Sequence, residues 1–181
     1  LIVPENAPTP KGIDADIVVL KQPIERIYLA ATSAMDFFRA IDAIDSIRFS
    51  ALKADGWFIP EARQALEDGR MIYAGKYRAP DYERIYSGNC GLAIESTMIY
   101  HTPEVKEKLE KIGIPVLVER SSYENDPLGR MEWIKVYGLL TGKLEAASDI
   151  FDREITALSE LKTEAGTEKT TAFFYVTTTG T

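Results

Sequence analysis

Residues 102–118, Thr102-Pro103-Glu104-Val105-Lys106-Glu107-Lys108-Leu109-Glu110-Lys111-Ile112-Gly113-Ile114-Pro115-Val116-Leu117-Val118, decide the fold. A capping threonine, a proline at the first position and an acidic first turn predict the start of a helix. Gly113 ends that helix. The apolar run that follows is typical of a strand that a parallel sheet buries on both faces. A helix that leads directly into such a strand indicates an α/β domain.

The same alternation of strands and helices continues towards the N-terminus. Short apolar runs predict strands at residues 17–20, 26–31, 47–50, 71–74 and 92–94. Helical spacings or helix-start signals fall between these runs, at residues 34–41, 60–69 and 80–86. We therefore predict an α/β fold in which a mainly parallel sheet is flanked by helices.

The C-terminal third has a different pattern. Between residues 128 and 162 apolar side chains recur at steps of three and four, which predicts one helix roughly 50 Å long. The alternative is two helices broken near Thr141-Gly142-Lys143. After it comes a buried-strand pattern, Thr171-Ala172-Phe173-Phe174-Tyr175-Val176. If residues 172–176 had no partner strand, they would invite pairing between chains.

Four segments follow from this pattern. Residues 1–16 are expected to be a flexible leader, and residues 17–127 an α/β lobe. Residues 128–162 are expected to be a helix that leaves this lobe, and residues 163–181 the start of a second, truncated lobe.

Composition excludes several classes of function. Among 181 residues the net charge is −7, which argues against nucleic acid as a partner because phosphate binding needs a basic surface. The single cysteine, Cys90, and single histidine, His101, exclude an internal disulfide and metal sites built from several such residues. Phosphate-loop, dinucleotide-binding, nucleophile-elbow and zinc-protease motifs are missing. We predict no catalytic residue, no metal and no cofactor.

Polar and aromatic residues cluster in the loops that follow the predicted strands. In open α/β sheets ligands bind outside the carboxyl ends of the strands, and this mixture of groups suits a bulky, partly anionic ligand. The candidate ligand-binding residues are Thr32, Ser33, Met35, Lys76, Tyr77, Arg78, Glu95, Ser96, Thr97, Ser121, Tyr123 and Glu124.

An ordered set of motifs carries a family resemblance over residues 17–178. They are Pro23-Ile24-Glu25-Arg26-Ile27, Thr32-Ser33-Ala34-Met35-Asp36-Phe37, Ile44-Asp45-Ser46-Ile47, Gly75 with Pro80-Asp81-Tyr82-Glu83-Arg84-Ile85, Leu109-Glu110-Lys111-Ile112-Gly113-Ile114-Pro115-Val116, and Tyr137-Gly138-Leu139-Leu140-Thr141-Gly142-Lys143 with Ala146-Ala147. The chain resembles the extracytoplasmic solute-binding proteins of ABC importers, of the class that carries iron-siderophores, haem or cobalamin.

The resemblance implies two α/β lobes joined by one long helix, with a small ligand held between them and no enzymatic activity. This chain would then be the N-terminal lobe, the helix and the first strand of the second lobe. Glu83 matches by position the acidic residue that docks on an arginine of the membrane permease. The parent protein would be extracytoplasmic, as a periplasmic protein or a lipoprotein.

Two alternatives stay open at this stage. One is an enzyme of the same two-lobed architecture, chelatase-like or nitrogenase-related. The other is a self-contained interaction domain of the flavodoxin-like type, which would require residues 172–176 to pair within the first sheet.

Overall fold

A five-stranded parallel sheet is the centre of the molecule, which the computed structural model describes for residues 1–160. The strand order is β5-β4-β3-β8-β9, and every neighbouring pair is parallel. Its strands are β3 (Ile27–Leu29), β4 (Ile47–Ser50), β5 (Ile72–Tyr73), β8 (Ala93–Ser96) and β9 (Val116–Glu119). They lie within the predicted segments 26–31, 47–50 and 71–74, or overlap 92–94 and 114–118. The α/β class is therefore confirmed.

Four shorter strands form two small sheets beside the main one. They are β1 (Ile2–Val3), β2 (Leu20–Lys21), β6 (Gly75–Lys76) and β7 (Ala79–Pro80). The first two pair in parallel, whereas β6 and β7 form an antiparallel hairpin directly after β5. This hairpin places its tip, Tyr77-Arg78, beyond the end of the sheet.

Helices cover both faces of the sheet, because its central strands are apolar on both sides. They are α1 (Met35–Ala40), α2 (Pro60–Glu67), α3 (Tyr82–Ser87), α4 (Pro103–Lys111), α5 (Pro127–Thr141) and α6 (Leu144–Glu160). Side chains from α1, α2, α5 and α6 share one buried cluster, and those from α3 and α4 share a second cluster on the opposite face.

An aromatic group anchors α5 to α1 in the larger cluster. The ring of Tyr137 lies 5.4 Å from that of Phe37 and 5.0 Å from that of Phe38, measured between centroids. Such aromatic pairs add about 0.5–1.5 kcal/mol beyond the area they bury. The first helix of the C-terminal segment is thus part of the lobe's core.

The single helix predicted for residues 128–162 is wrong as a continuous element. Gly142 adopts a left-handed backbone with φ of 74°, and α5 ends there. The ammonium of Lys135 lies 4.0 Å from the centroid of the Phe151 ring, so α6 folds back along α5. Apolar residues keep a spacing of three and four on both sides of the break, because both helices bury side chains in the same cluster. The alternative of two helices broken near Thr141-Gly142-Lys143 is what the structure has.

The N-terminal predictions also need correction. Residues 1–16 are not wholly a flexible leader, because Ile2–Val3 pairs with Leu20–Lys21 and the side chain of Val3 is buried. The terminal amine donates to the carbonyl of Val18 at 2.8 Å. The strand predicted at 17–20 is reduced to its last residue, and the side chains of residues 17–19 are exposed.

Helix α4 begins and ends where the sequence predicts, although its cap differs. Pro103 is the first helical residue and Gly113 has φ of 85°. The hydroxyl of Thr102, however, makes no capping hydrogen bond. The strand predicted at residues 172–176, and with it the test of the flavodoxin-like alternative, lies outside the described residues.

Candidate ligand-binding face

All five strands of the main sheet end at the same side, which we term the carboxyl edge. The loops that leave it include the segments after β3, β4, β8 and β9, and each contains a short 3-10 turn. These turns are Thr32–Ala34, Ala54–Gly56, Thr97–His101 and Ser121–Tyr123. At such an edge the ends of several strands converge, which is where open α/β sheets bind ligands.

Most of the predicted residues do lie together at this edge. Thr32 and Ser33 follow β3, Ser96 closes β8, and Thr97 begins the turn after β8. Because β3 and β8 are neighbours in the sheet, these hydroxyl groups belong to adjacent loops. Ser121, Tyr123 and Glu124 follow the next strand, β9, and Lys76, Tyr77 and Arg78 lie in the hairpin after β5.

Hydrogen bonds connect three of these loops. The hydroxyl of Ser33 donates to Oε2 of Glu119 at 2.9 Å, and the backbone N–H of Ser121 donates to Oε1 of the same carboxylate at 2.6 Å. The hydroxyl of Tyr123 donates to Oγ1 of Thr97 at 3.3 Å. The loops after β3, β8 and β9 are therefore linked to each other by side chains.

The β6–β7 hairpin lies at the other end of the carboxyl edge. Gly75 has φ of 85°, and a side chain there would place its Cβ 2.4 Å from the carbonyl oxygen of Ala79. The hydroxyl of Tyr28 donates to the carbonyl of Gly75 at 3.1 Å. The side chains of Lys76 and Arg78 are exposed, so a fixed backbone presents two cations to solvent.

Three predicted residues do not face the ligand side. Ser121 is fully buried, and within the described residues its hydroxyl has no hydrogen-bond partner. Met35 is fully buried in the larger apolar cluster. Glu95 is also fully buried, and within the described residues its carboxyl oxygens have no hydrogen-bond partner. Burial without a partner raises the pKa of Glu95 to about 8. None of these three side chains reaches the surface of the carboxyl edge, so we do not include them in the candidate site.

Sequence reasoning missed several exposed apolar residues at the same edge. Phe58, in the segment that leads from β4 to α2, exposes 95% of its surface, and Met98 and Tyr100 in the turn after β8 are also exposed. In the sequence these residues look like core positions, because apolar type alone does not show which side chains the fold leaves uncovered. Large exposed apolar groups in one region indicate a binding surface.

Two cations lie over aromatic rings at this edge. The ammonium of Lys53 is 5.6 Å from the centroid of the Tyr73 ring, and the guanidinium of Arg120 is 5.7 Å from that of Tyr123. Such pairs contribute about 0.5–1 kcal/mol at exposed sites. Together with Lys76 and Arg78 they give the face aromatic surface and four cationic side chains, next to the exposed carboxylates of Asp55 and Glu124.

Glu83, the predicted docking residue, lies in the first turn of α3. The side chain of Asp81 caps this helix by accepting from the N–H of Arg84 at 3.0 Å. The helix starts from the hairpin at the carboxyl edge, so exposed Glu83 lies near the rim of the candidate face. Its position is thus compatible with contact to a second protein.

Residues 1–160 contain neither a metal-binding cluster nor a membrane-spanning helix. In that part of the chain, no group of three or more histidine, cysteine, aspartate or glutamate residues could hold a metal ion. None of the helices described there combines the length and the apolar character that a membrane span requires.

The described chain is similar to solved structures of bacterial binding proteins. It covers 47% of the petrobactin-binding protein YclQ of Bacillus subtilis, with 78% of the chain matched, a TM-score of 0.58 and 13% identity. It also covers 46% of the triscatecholate siderophore binding protein FeuA of B. subtilis, with 78% of this chain matched, a TM-score of 0.57 and 19% identity. It covers 44% of a periplasmic haem binding protein of Pseudomonas aeruginosa, with 75% of this chain matched, a TM-score of 0.57 and 18% identity. The fold is that of one lobe of a siderophore-binding protein.

Sequence comparison identifies a distant relative. No family model matches. A curated relative, an uncharacterized lipoprotein of Methanocaldococcus jannaschii, is 24% identical over 145 residues, which are 75% of this chain and 34% of the relative. The chain thus spans about a third of that relative and under half of each siderophore- or haem-binding structure.

Proposed function

We propose that the chain is the first lobe of a solute-binding component of an ABC importer. The observation that supports this most directly is the carboxyl edge itself, where exposed aromatic rings, cations and hydroxyl groups lie on one face. In the proposed protein a second lobe would close over that face and enclose the ligand. We propose no catalytic role for this chain.

The chemistry of the face favours a bulky anionic ligand with aromatic surface. Its cations are Lys53, Lys76, Arg78 and Arg120, and its exposed aromatic groups are Phe58, Tyr100 and Tyr123. Rings pack against flat ligand surfaces, and guanidinium groups bind oxyanions in two-point geometry. We infer that the ligand is an iron complex, such as a ferric siderophore or haem, or a corrinoid.

The mechanism would be capture followed by delivery. The lobe binds the ligand at the carboxyl edge, the second lobe encloses it, and the loaded protein docks on a membrane permease. Docking through Glu83 would be an ion pair at the rim of the interface, which affects orientation and association rate more than affinity. Similarity to a lipoprotein and to periplasmic proteins supports a location outside the cytoplasmic membrane, either lipid-anchored or periplasmic.

An enzyme of related architecture is the alternative with less support. The sequence contains one histidine and one cysteine. The thiol of Cys90 is largely buried, and burial raises its pKa to about 11, which removes thiolate reactivity at neutral pH. His101 lies at the end of the turn after β8 without a second histidine in the chain.

The experiment that tests the proposal is a ligand titration of the protein expressed from the full open reading frame. Ferric tris-catecholate, haem and cobalamin are the probes. Trp133 donates to Glu124 at the edge of the face at 2.9 Å, whereas Trp57 is buried beside β4. We therefore expect saturable quenching by one ligand class, mainly of Trp133. No saturable response to any probe, with a folded protein, would contradict the proposal.

A matched pair of variants locates the binding. Lys76→Ala removes a cation from the hairpin at the carboxyl edge, whereas Lys111→Ala removes one from the end of α4, at the opposite edge of the sheet. For an anionic ligand we expect Lys76→Ala to weaken binding several-fold and Lys111→Ala to leave it unchanged. Equal effects would contradict the assigned face.

A further inference from the structure

Strand β9 ends in a carboxylate that is almost completely buried. Glu119 exposes 2% of its surface and lies on the same side of the sheet as the larger apolar cluster. An ionised carboxylate in such a place is unfavourable unless hydrogen bonds replace its water. Those bonds come from Ser33 and from the backbone of Ser121.

The two donors belong to loops of strands that are not neighbours. Ser33 follows β3, Glu119 closes β9, and β8 lies between them in the sheet. Ser96, the last residue of β8, is the register partner of Glu119. The bond from Ser33, 86 positions away in sequence, therefore passes across the carboxyl end of β8.

The same loop carries the other links of the face. Two residues beyond Ser121, Tyr123 reaches Thr97 of the β8 loop. The next residue, Glu124, accepts from the indole N–H of Trp133 at 2.9 Å. Fixing Ser121 thus fixes the start of a segment that contacts both the β8 loop and α5.

A buried aromatic residue of α5 lies beneath this carboxylate. Tyr137 of α5 is fully buried there, and burial together with the negative charge of Glu119 raises the pKa of its hydroxyl. Leucine would occupy such a strand end without desolvating a charge. A carboxylate at this position is accounted for by the two bonds it makes to the loops.

We propose that Glu119 is a positioning residue that holds the loops after β3 and β9 in one fixed arrangement at the carboxyl edge. That the arrangement serves a ligand rests on the proposed function; that the carboxylate fixes the loops does not. Pre-organised loops bind with less entropy loss than mobile ones. Ligand dissociation should therefore depend on Glu119 even though its side chain faces the interior.

Amide hydrogen exchange of the protein from the full open reading frame tests the loop arrangement. Glu119→Leu keeps the apolar packing and removes both acceptors, and Glu119→Gln retains hydrogen-bonding groups at both positions. We expect at least tenfold faster exchange at residues 31–34 and 120–124 in Glu119→Leu, and rates near wild type in Glu119→Gln. Unchanged exchange in the leucine variant would overturn the proposal, as would an equal increase throughout the sheet.

Ser33→Ala provides a second test that does not disturb the core, since Ser33 lies on the surface. If the carboxylate couples the two loops, this change should also speed exchange at residues 120–124. Faster exchange confined to residues 31–34 would overturn the coupling.

Stopped-flow dissociation of ferric tris-catecholate, haem or cobalamin, whichever binds, completes the test. We expect severalfold faster dissociation from Glu119→Leu and near-normal dissociation from Glu119→Gln, with the unfolding midpoint of each variant measured in parallel. Equal dissociation rates in wild type and Glu119→Leu would overturn the positioning role. If wild type binds none of the probes, the proposed function fails, and the exchange comparison alone decides whether Glu119 holds the loops.

Discussion

Gly138 of α5 lies directly against Ala147 of α6, on the inner side of the turn at Gly142. A Cβ at position 138 would be 2.6 Å from the Cβ of Ala147 and 2.9 Å from the carbonyl oxygen of Lys143. Both distances are too short for packed atoms. The absence of a side chain at this one position therefore allows the two helices to pack face to face.

Gly138→Ala should consequently destabilise the lobe although it adds a good helix former. We expect the free energy of unfolding to fall by about 1–3 kcal/mol, the usual effect of overpacking, measured by urea denaturation. Gly129→Ala in the same helix is the control, because its Cβ would approach only the Glu124 side chain, at 3.3 Å. Similar losses in both variants would contradict the role of the close contact between Gly138 and α6, since helix propensity alone favours alanine at both positions.

Glu95 should make stability depend on pH. Its pKa is raised to about 8 in the folded state from 4.5, so the folded protein holds a proton that the unfolded chain releases. Its stabilising contribution is complete below pH 4.5 and is lost as pH rises through 8, by up to about 1.4 kcal/mol per pH unit. Denaturation from pH 4 to 9 should show this slope in wild type and not in Glu95→Gln. Parallel curves would contradict the assignment; Glu104→Gln, on the surface of α4, is the control.

The hairpin at the carboxyl edge should be sensitive to Gly75. Gly75 and Gly69 both have positive φ, of 85° and 78°, but only Gly75 would also bring a Cβ against backbone atoms. We expect Gly69→Ala to lower the free energy of unfolding by about 1–2 kcal/mol through conformational strain alone. Gly75→Ala should cost clearly more and should increase amide exchange at residues 75–80. Equal losses would mean that the close approach to Ala79 relaxes easily.

Ser50 should be important for the position of Trp57. Its hydroxyl oxygen accepts from the indole N–H of Trp57 and from the N–H of Leu52, both at 3.0 Å, and donates to the carbonyl of Leu52 at 2.7 Å. Ser50→Ala leaves two donors without this acceptor, which should lower the free energy of unfolding by about 1–3 kcal/mol. We expect a changed Trp57 emission as well. Ser148→Ala, which removes a surface bond to Leu144 within α6, should change neither quantity measurably.

The parallel sheet could be predicted because each of its strands is an apolar run between helix signals. The run at residues 17–20 has the same composition, yet only Leu20 pairs, since its partner is the two-residue strand Ile2–Val3. Local composition does not contain that information. The apolar spacing likewise did not reveal the helix break at Gly142, because Leu140 and Ala147 on either side of it both pack in the larger apolar cluster.

The sequence could predict the position of those candidate residues that the topology of the sheet alone determines. Loops after parallel strands must meet at one edge, so the sequence could place Ser33, Thr97 and Tyr123 together; that they bind a ligand stays a prediction. Which side chain points inwards was not determined: Glu95 is buried, and Phe58 is almost fully exposed. Glu119 was missed because the partners of a carboxylate at a strand end become visible only when distant loops are brought together.

The strand order also determines when the lobe can be completed during synthesis. Strands β4 and β5 follow β3 closely in the chain, but the other neighbour of β3 is β8, which begins only at Ala93. At translation rates of 5–20 residues per second, one side of β3 lacks its partner for on the order of seconds. During that interval Ile27, Tyr28 and Leu29, fully buried in the finished protein, border an open edge. A nascent chain of this type is therefore most exposed to aggregation before β8 has left the ribosome.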